Sequence, residues 1–108
     1  MKRPLQSLLF TQEHHPNILS GKKTTTIRQD YRDYKAGKSV LLCCNINTFC
    51  VMADIIYVKH CKLSELTLDE IRMEGFPDIK TLHEKLLTYY PSLTLDNEIT
   101  YIEWKNIR

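Results

Sequence analysis

A helix must stop and a strand must start within a few residues of each other at Ile18-Leu19-Ser20-Gly21-Lys22-Lys23-Thr24-Thr25-Thr26-Ile27-Arg28. Gly21 sits where an apolar helix end gives out, and glycine adopts the left-handed backbone that closes a helix. Three threonines and an isoleucine follow, all β-branched and all better suited to a strand. The junction places ammonium groups, hydroxyls and a guanidinium at the mouth of one turn. Such a cluster suits an anionic or polar ligand better than a core.

The flanking sequence fixes the remaining elements. Residues 5–10 are short and apolar and read as a first strand. Thr11 is placed to cap a helix over residues 12–20, with Pro16 in its first turn, where a missing N–H costs little. Residues 23–29 read as a strand and residues 30–38 as a polar loop turning at Gly37. Residues 39–45 form a strand, Asn45-Ile46-Asn47 a hairpin turn, and residues 48–60 a strand long enough to curve or bulge. Thr67 with Glu70 three residues on forms a capping box for a helix over 68–74 that stops near Gly75 and Pro77. Asp78 caps a helix over 79–90, with Ile79, Leu82, Leu86 and Tyr90 on one face and Pro91 ending it. Residues 98–105 alternate as a last strand. The order β-α-β-β-β-α-α-β predicts an α+β fold, a small barrel or strongly curved sheet of mostly antiparallel strands with flanking helices.

A chain of 108 residues argues for one domain, residues 1–108, with one modest core. Net charge is only +2, too little by itself to mark a nucleic-acid binder. Its distribution says more: Lys22, Lys23, Arg28, Arg32, Lys35 and Lys38 face only Asp30 and Asp33 within residues 21–38. No apolar run approaches the roughly 20 residues of a membrane span. The basic start lacks a secretory apolar stretch, so a cytoplasmic location and no membrane partner are expected. Cys43, Cys44, Cys50 and Cys61 form no C-x-x-C pair and are expected to be reduced, buried thiols. His60 beside Cys61 is the one hint of ligation, and His14 and His15 diverge on a helix, so neither metal nor cofactor is expected. A monomer is the default.

Three stretches together resemble the ASCH-domain family. The first is Phe10 followed by Ile18-Leu19-Ser20-Gly21-Lys22-Lys23-Thr24-Thr25-Thr26-Ile27-Arg28; the second is Tyr34-Lys35-Ala36-Gly37-Lys38-Ser39-Val40; the third is Glu74-Gly75-Phe76 with a helix ending at Tyr90-Pro91. The closing Ile99-Thr100-Tyr101-Ile102-Glu103-Trp104 is similar to the family's last strand. The resemblance implies a PUA-like β-barrel of about five to six strands with a cleft, and an RNA-related role. A branch of about this length includes a bacterial N(4)-acetylcytidine amidohydrolase whose catalytic set is a lysine, a threonine and a glutamate. Carried over by motif, these fall on Lys23, Thr26 and Glu74.

The chemistry is self-consistent. Amide hydrolysis needs a nucleophile, a group that activates it and a proton donor for the leaving amine. Thr26 would attack, Lys23 activate and Glu74 serve as general acid/base, with no metal. Arg28, Gly21, Lys22, Tyr31 and Phe76 are the expected substrate-binding residues. Lys23 and Thr26, three apart, converge only if Lys23 lies on the turn before the strand. Strand alternation then points Thr26 and Arg28 to the cleft and Ile27 to the core, leaving Thr24 and Thr25 explained by β-propensity. Tyr31 and Tyr34 either stack on bases or cover the edge of the barrel, Trp104 is core, and Phe76 anchors the Glu74 turn or forms a pocket wall. The alternative is an RNA-binding module without chemistry, or a ribonuclease, using the same basic cleft. The partner is accordingly a modified nucleoside or RNA.

Overall fold

The structure, a computed structural model, describes residues 6–45 and 50–108. Strands β1 (Gln6–Phe10), β2 (Thr25–Gln29), β3 (Ser39–Cys44), β4 (Cys50–Lys62) and β5 (Glu98–Lys105) form one mixed sheet in the order β1-β3-β4-β5-β2. Helices α1 (His15–Ser20), α2 (Leu68–Met73) and α3 (Ile79–Leu87) connect them, with short 3-10 turns at Gln12–His14 and Leu63–Glu65. The fold is the α+β class expected of a PUA-like ASCH domain. The middle of the hairpin turn, Ile46 and Asn47, and the first residues of the long strand, Thr48 and Phe49, lie outside the described residues, as does Leu5.

Two compact units divide the chain, each discontinuous in sequence. The first comprises the described parts of Met1–Thr24, Tyr34–Val58 and Glu103–Arg108. Here β1 runs parallel to β3, from Gln6 beside Val40 to Phe10 beside Cys44, and β3 runs antiparallel to β4. Two-residue periodicity decides what is buried. Leu8 and Phe10 of β1 and Val40, Leu42 and Cys44 of β3 turn inward while their neighbours do not. Ile18 is the buried residue of α1, and Trp104, 1% exposed, meets the Phe10 ring edge-on at 5.7 Å.

The second unit comprises Thr25–Asp33 and Lys59–Ile102. Ile27, Leu63, Leu66, Ile71, Leu82, Leu86, Leu93, Ile99 and Tyr101 form its core. Leu82 and Leu86 lie one helical turn apart, so α3 offers this core a single apolar stripe. Asp78 caps α3 by accepting the Thr81 amide at 2.8 Å. The helix ends at Leu87, short of residue 90, because Pro91 disfavours helical backbone at Tyr90. Thr67 and Glu70 form the expected capping box at the start of α2.

Several expectations are corrected. Thr11 does not cap a helix; its hydroxyl donates to Glu13 at 3.3 Å, and the segment opens as a 3-10 turn. The strand after Gly21 begins at Thr25, which leaves Lys22 and Lys23 on the turn. Cys43 and Cys50 are not free thiols but a disulfide, because the antiparallel register sets them directly opposite each other on β3 and β4. Cys44, one residue on, points to the other face and is a buried thiol; Cys61 is half-buried. Among the described residues no helix is long and apolar enough to cross a membrane.

The disulfide and the Thr67–Glu70 cap both bear on stability. Closing so short a loop contributes about 2–3 kcal/mol by chain entropy, so reduction, or Cys43→Ser with Cys50→Ser, should lower unfolding stability by about that amount in denaturant titrations. Burial acts to raise the Glu70 carboxyl, but the Thr67 amide and the Lys59 ammonium, 2.9 Å away, outweigh it and hold it below the usual range. Its contribution is therefore complete above the ordinary carboxylate pKa and is lost as pH falls through the lowered one. Glu70→Gln should cost about 1 kcal/mol at neutral pH and flatten the acid limb of a stability–pH curve.

Candidate functional site

α1 ends as the glycine requires. Gly21 adopts φ +82° and its amide bonds back to the Ile18 carbonyl at 3.2 Å. The Lys23 amide then reaches the Asn17 carbonyl at 2.9 Å, so the turn is wound back on the helix. Gly21 and Lys22 are exposed and Lys23 is half-buried, its Nζ 5.9 Å above the Phe10 ring. The adjoining Thr24 carbonyl accepts the Trp104 amide at 2.9 Å, which anchors the turn to the strand carrying the buried indole.

The second unit holds the other candidates. Thr25, Thr26 and Ile27 are all buried, and Arg28 is half-buried. Alternation places Thr25 and Ile27 on one face of β2, Thr26 and Arg28 on the other. Ile27 joins the core as expected. Thr25 does more than favour a strand: its hydroxyl donates to Glu74 Oε1 and lies 3.3 Å from the Met73 carbonyl. Its oxygen is fully buried, so it needs such a partner. The carboxylate thus stands against Thr25, on the face of β2 opposite to Thr26 and Arg28.

Glu74 is positioned by the end of α2. Its amide bonds to the Glu70 carbonyl at 3.2 Å, and Gly75 follows at φ +96°. Phe76 packs half-buried against the core, its amide on the Ile71 carbonyl at 3.2 Å. The Glu74 turn is therefore anchored by Phe76, the simpler of the two roles open to it.

The loop after β2 is equally well held. Asp30 takes a left-handed backbone, φ 69°, and its amide bonds to the Glu98 carbonyl at 2.9 Å. The buried Thr100 hydroxyl donates to the Asp30 carbonyl and accepts the Arg32 amide, each at 2.8 Å. Between these anchors Tyr31 stacks on His60, ring centroids 4.0 Å apart and planes 22° from parallel. His60 Nε2 lies 2.9 Å from the Arg32 carbonyl, which makes that nitrogen the donor. Tyr34, in the other unit, donates its hydroxyl to the Ser7 carbonyl at 2.6 Å and so covers a strand edge. Lys35 and Lys38 are exposed.

Thr25, Thr100 and His60 carry these arrangements without a sequence signal of their own. Threonine in a strand is ordinary, and His60 is far along the chain from its ring partner. Among the described residues no three histidine, cysteine or acidic side chains gather where they could hold a metal ion.

No family model matches the chain, and no curated relative is detected from its sequence. Solved structures do match. A DUF984 protein from Enterococcus faecalis V583 is similar over 100% of this chain and 85% of its own, with TM-score 0.68 and 13% identity. An ASCH domain from Lactobacillus crispatus JV V101 is similar over 95% of this chain and 79% of its own, with TM-score 0.67 and 13% identity. A tyrosine-to-phenylalanine mutant of an ASCH protein from Zymomonas mobilis is similar over 96% of this chain and 70% of its own, with TM-score 0.70 and 15% identity. The chain has the fold of these ASCH-domain structures. At such identities the likeness is one of fold.

Thr25→Val removes the hydroxyl that Glu74 accepts, and should cost about 1–3 kcal/mol in chemical denaturation. Thr25→Ser keeps the donor and should recover most of the loss.

Proposed function

We propose that the protein is a metal-independent amidohydrolase that deacetylates N(4)-acetylcytidine or a related acylated pyrimidine nucleoside. The observation that carries this reading is the bond between Thr25 and Glu74. It ties the carboxylate to β2 one residue before Thr26, on the face that carries Thr25 and Ile27, across 49 residues of sequence. Lys23 precedes Thr26 by three residues, which limits their Cα separation to about 10 Å. The ASCH-like fold and the order of the three motifs support the same assignment.

In this mechanism Lys23 takes the Thr26 hydroxyl proton while Oγ1 attacks the acetyl carbonyl. Protonated Glu74 gives its proton to N4 as the C–N bond breaks. Cytidine leaves, and an acetyl ester remains on Thr26. The Glu74 carboxylate then takes a proton from water, whose hydroxide attacks the ester. Acetic acid departs as the Lys23 ammonium returns a proton to Thr26 Oγ1. The net reaction consumes one water and restores every group. Thr25 is a positioning residue here, since it holds Glu74 and is too buried to meet substrate. Arg28, Gly21, Lys22, Tyr31 and Phe76 complete the proposed binding set, with Phe76 acting through the turn it anchors. The reading keeps the protein as one domain in the cytoplasm, a compartment whose reducing poise acts against the Cys43–Cys50 bridge.

A second reading, RNA binding without chemistry, is favoured by the exposed basic residues Lys35, Lys38 and Arg32. Incubation with N(4)-acetylcytidine and chromatography for cytidine separates the two. The amidohydrolase should release cytidine, and Lys23→Ala and Thr26→Val should each lose at least about 100-fold in rate. No cytidine from folded protein, together with RNA affinity that falls steeply with salt, would give the second reading the field.

A further inference from the structure

Tyr31 is 56% exposed, yet it is among the most firmly held residues of its loop. Exposed aromatic side chains gain little from being fixed, and ordering one costs conformational entropy. Here the backbone on each side is bonded to β5, at Asp30 and at Arg32, through the Glu98 carbonyl and the Thr100 hydroxyl. One face of the ring rests on His60, and that imidazole is itself tied to the Arg32 carbonyl. Arg32 Nε donates to the Gln29 carbonyl at 2.9 Å, which fixes the exposed guanidinium in the same loop.

We propose that the Tyr31–His60 pair is a stacking platform for one unpaired base of a single-stranded nucleic acid. A flat π-surface held rigid in advance is what base stacking uses, and it tolerates any base. Charge does not explain the arrangement: within residues 28–33 Arg28 and Arg32 are matched by Asp30 and Asp33. Affinity at the platform comes from stacking, so salt weakens it only slightly. The proposal rests on the preceding reading and deepens it, because it adds a pyrimidine within a polynucleotide to the free nucleoside as a substrate. Tyr31 follows Thr26 by five residues, so the two lie within about 17 Å, a span that a short oligonucleotide covers.

The test is fluorescence anisotropy with labelled hexauridylate and hexadeoxythymidylate, titrated with intact protein at about 50 and 200 mM salt. Tyr31→Ala should weaken binding about tenfold at both salt concentrations, while Tyr31→Trp should preserve it. His60→Ala should weaken it as well, by removing the support. Circular dichroism establishes that each variant is folded, as expected for an exposed side chain. Tyr31-dependent affinity for either oligonucleotide supports the proposal. Affinity indifferent to Tyr31→Ala, or a steep salt slope that the substitution leaves unaltered, overturns it. The amidohydrolase reading fails by a different readout, the absence of cytidine from the nucleoside, so the two failures are distinguishable.

Discussion

A buried hydroxyl has to find a partner, and in this protein that requirement sets the position of the candidate residues. Thr25 and Thr100 are both fully buried on strands. Water cannot reach them, and an unpaired hydroxyl there would cost on the order of 1–3 kcal/mol. Thr25 finds Glu74, and Thr100 finds the backbone on either side of Tyr31. Each bond joins segments distant in sequence: α2's end to β2 in one case, β5 to the loop after β2 in the other. Glu74 and Tyr31 sit on turns, and these two threonines inside the sheet keep those turns in place.

The capping chemistry works with these bonds. Thr67 and Glu70 begin α2, and Gly75 and Phe76 close it behind Glu74. Six residues of helix are too few to be stable alone. Ile71 and Phe76 hold the segment on the core, and Lys59 pairs with Glu70. The carboxylate is thereby delivered on a short, well-anchored lever. In the first unit, Gly21 performs the corresponding service for Lys23 by ending α1 and letting the turn wind back on the helix.

Most of the architecture was legible because it rests on local rules. Gly21, the Thr67–Glu70 box, the Asp78 cap and Pro91 mark helix ends by their own chemistry, and each element appeared in the expected order. Ile27 and Trp104 were legible as core from alternation and size. Thr25 was not: its β-propensity explains its presence in a strand but says nothing of the carboxylate opposite. The Cys43–Cys50 bridge was also hidden, since the spacing resembles no disulfide pattern and only the register of β3 on β4 sets the two sulfurs face to face. Tyr34 and Tyr31 look alike in sequence, yet one hydroxyl is spent on Ser7 and the other ring is stacked and exposed.

The sequence by itself determined the order of helices and strands, which residues are apolar enough to be buried, and that a helix ended by Gly21 leads into a threonine-rich strand. These depend on capping, backbone preference and periodicity, all read within a few residues. Only the tertiary structure decided which threonine meets Glu74, which cysteines join and which tyrosine rests on His60. Those depend on strand register and on contacts between segments tens of residues apart, where no local preference distinguishes one threonine, cysteine or tyrosine from the next.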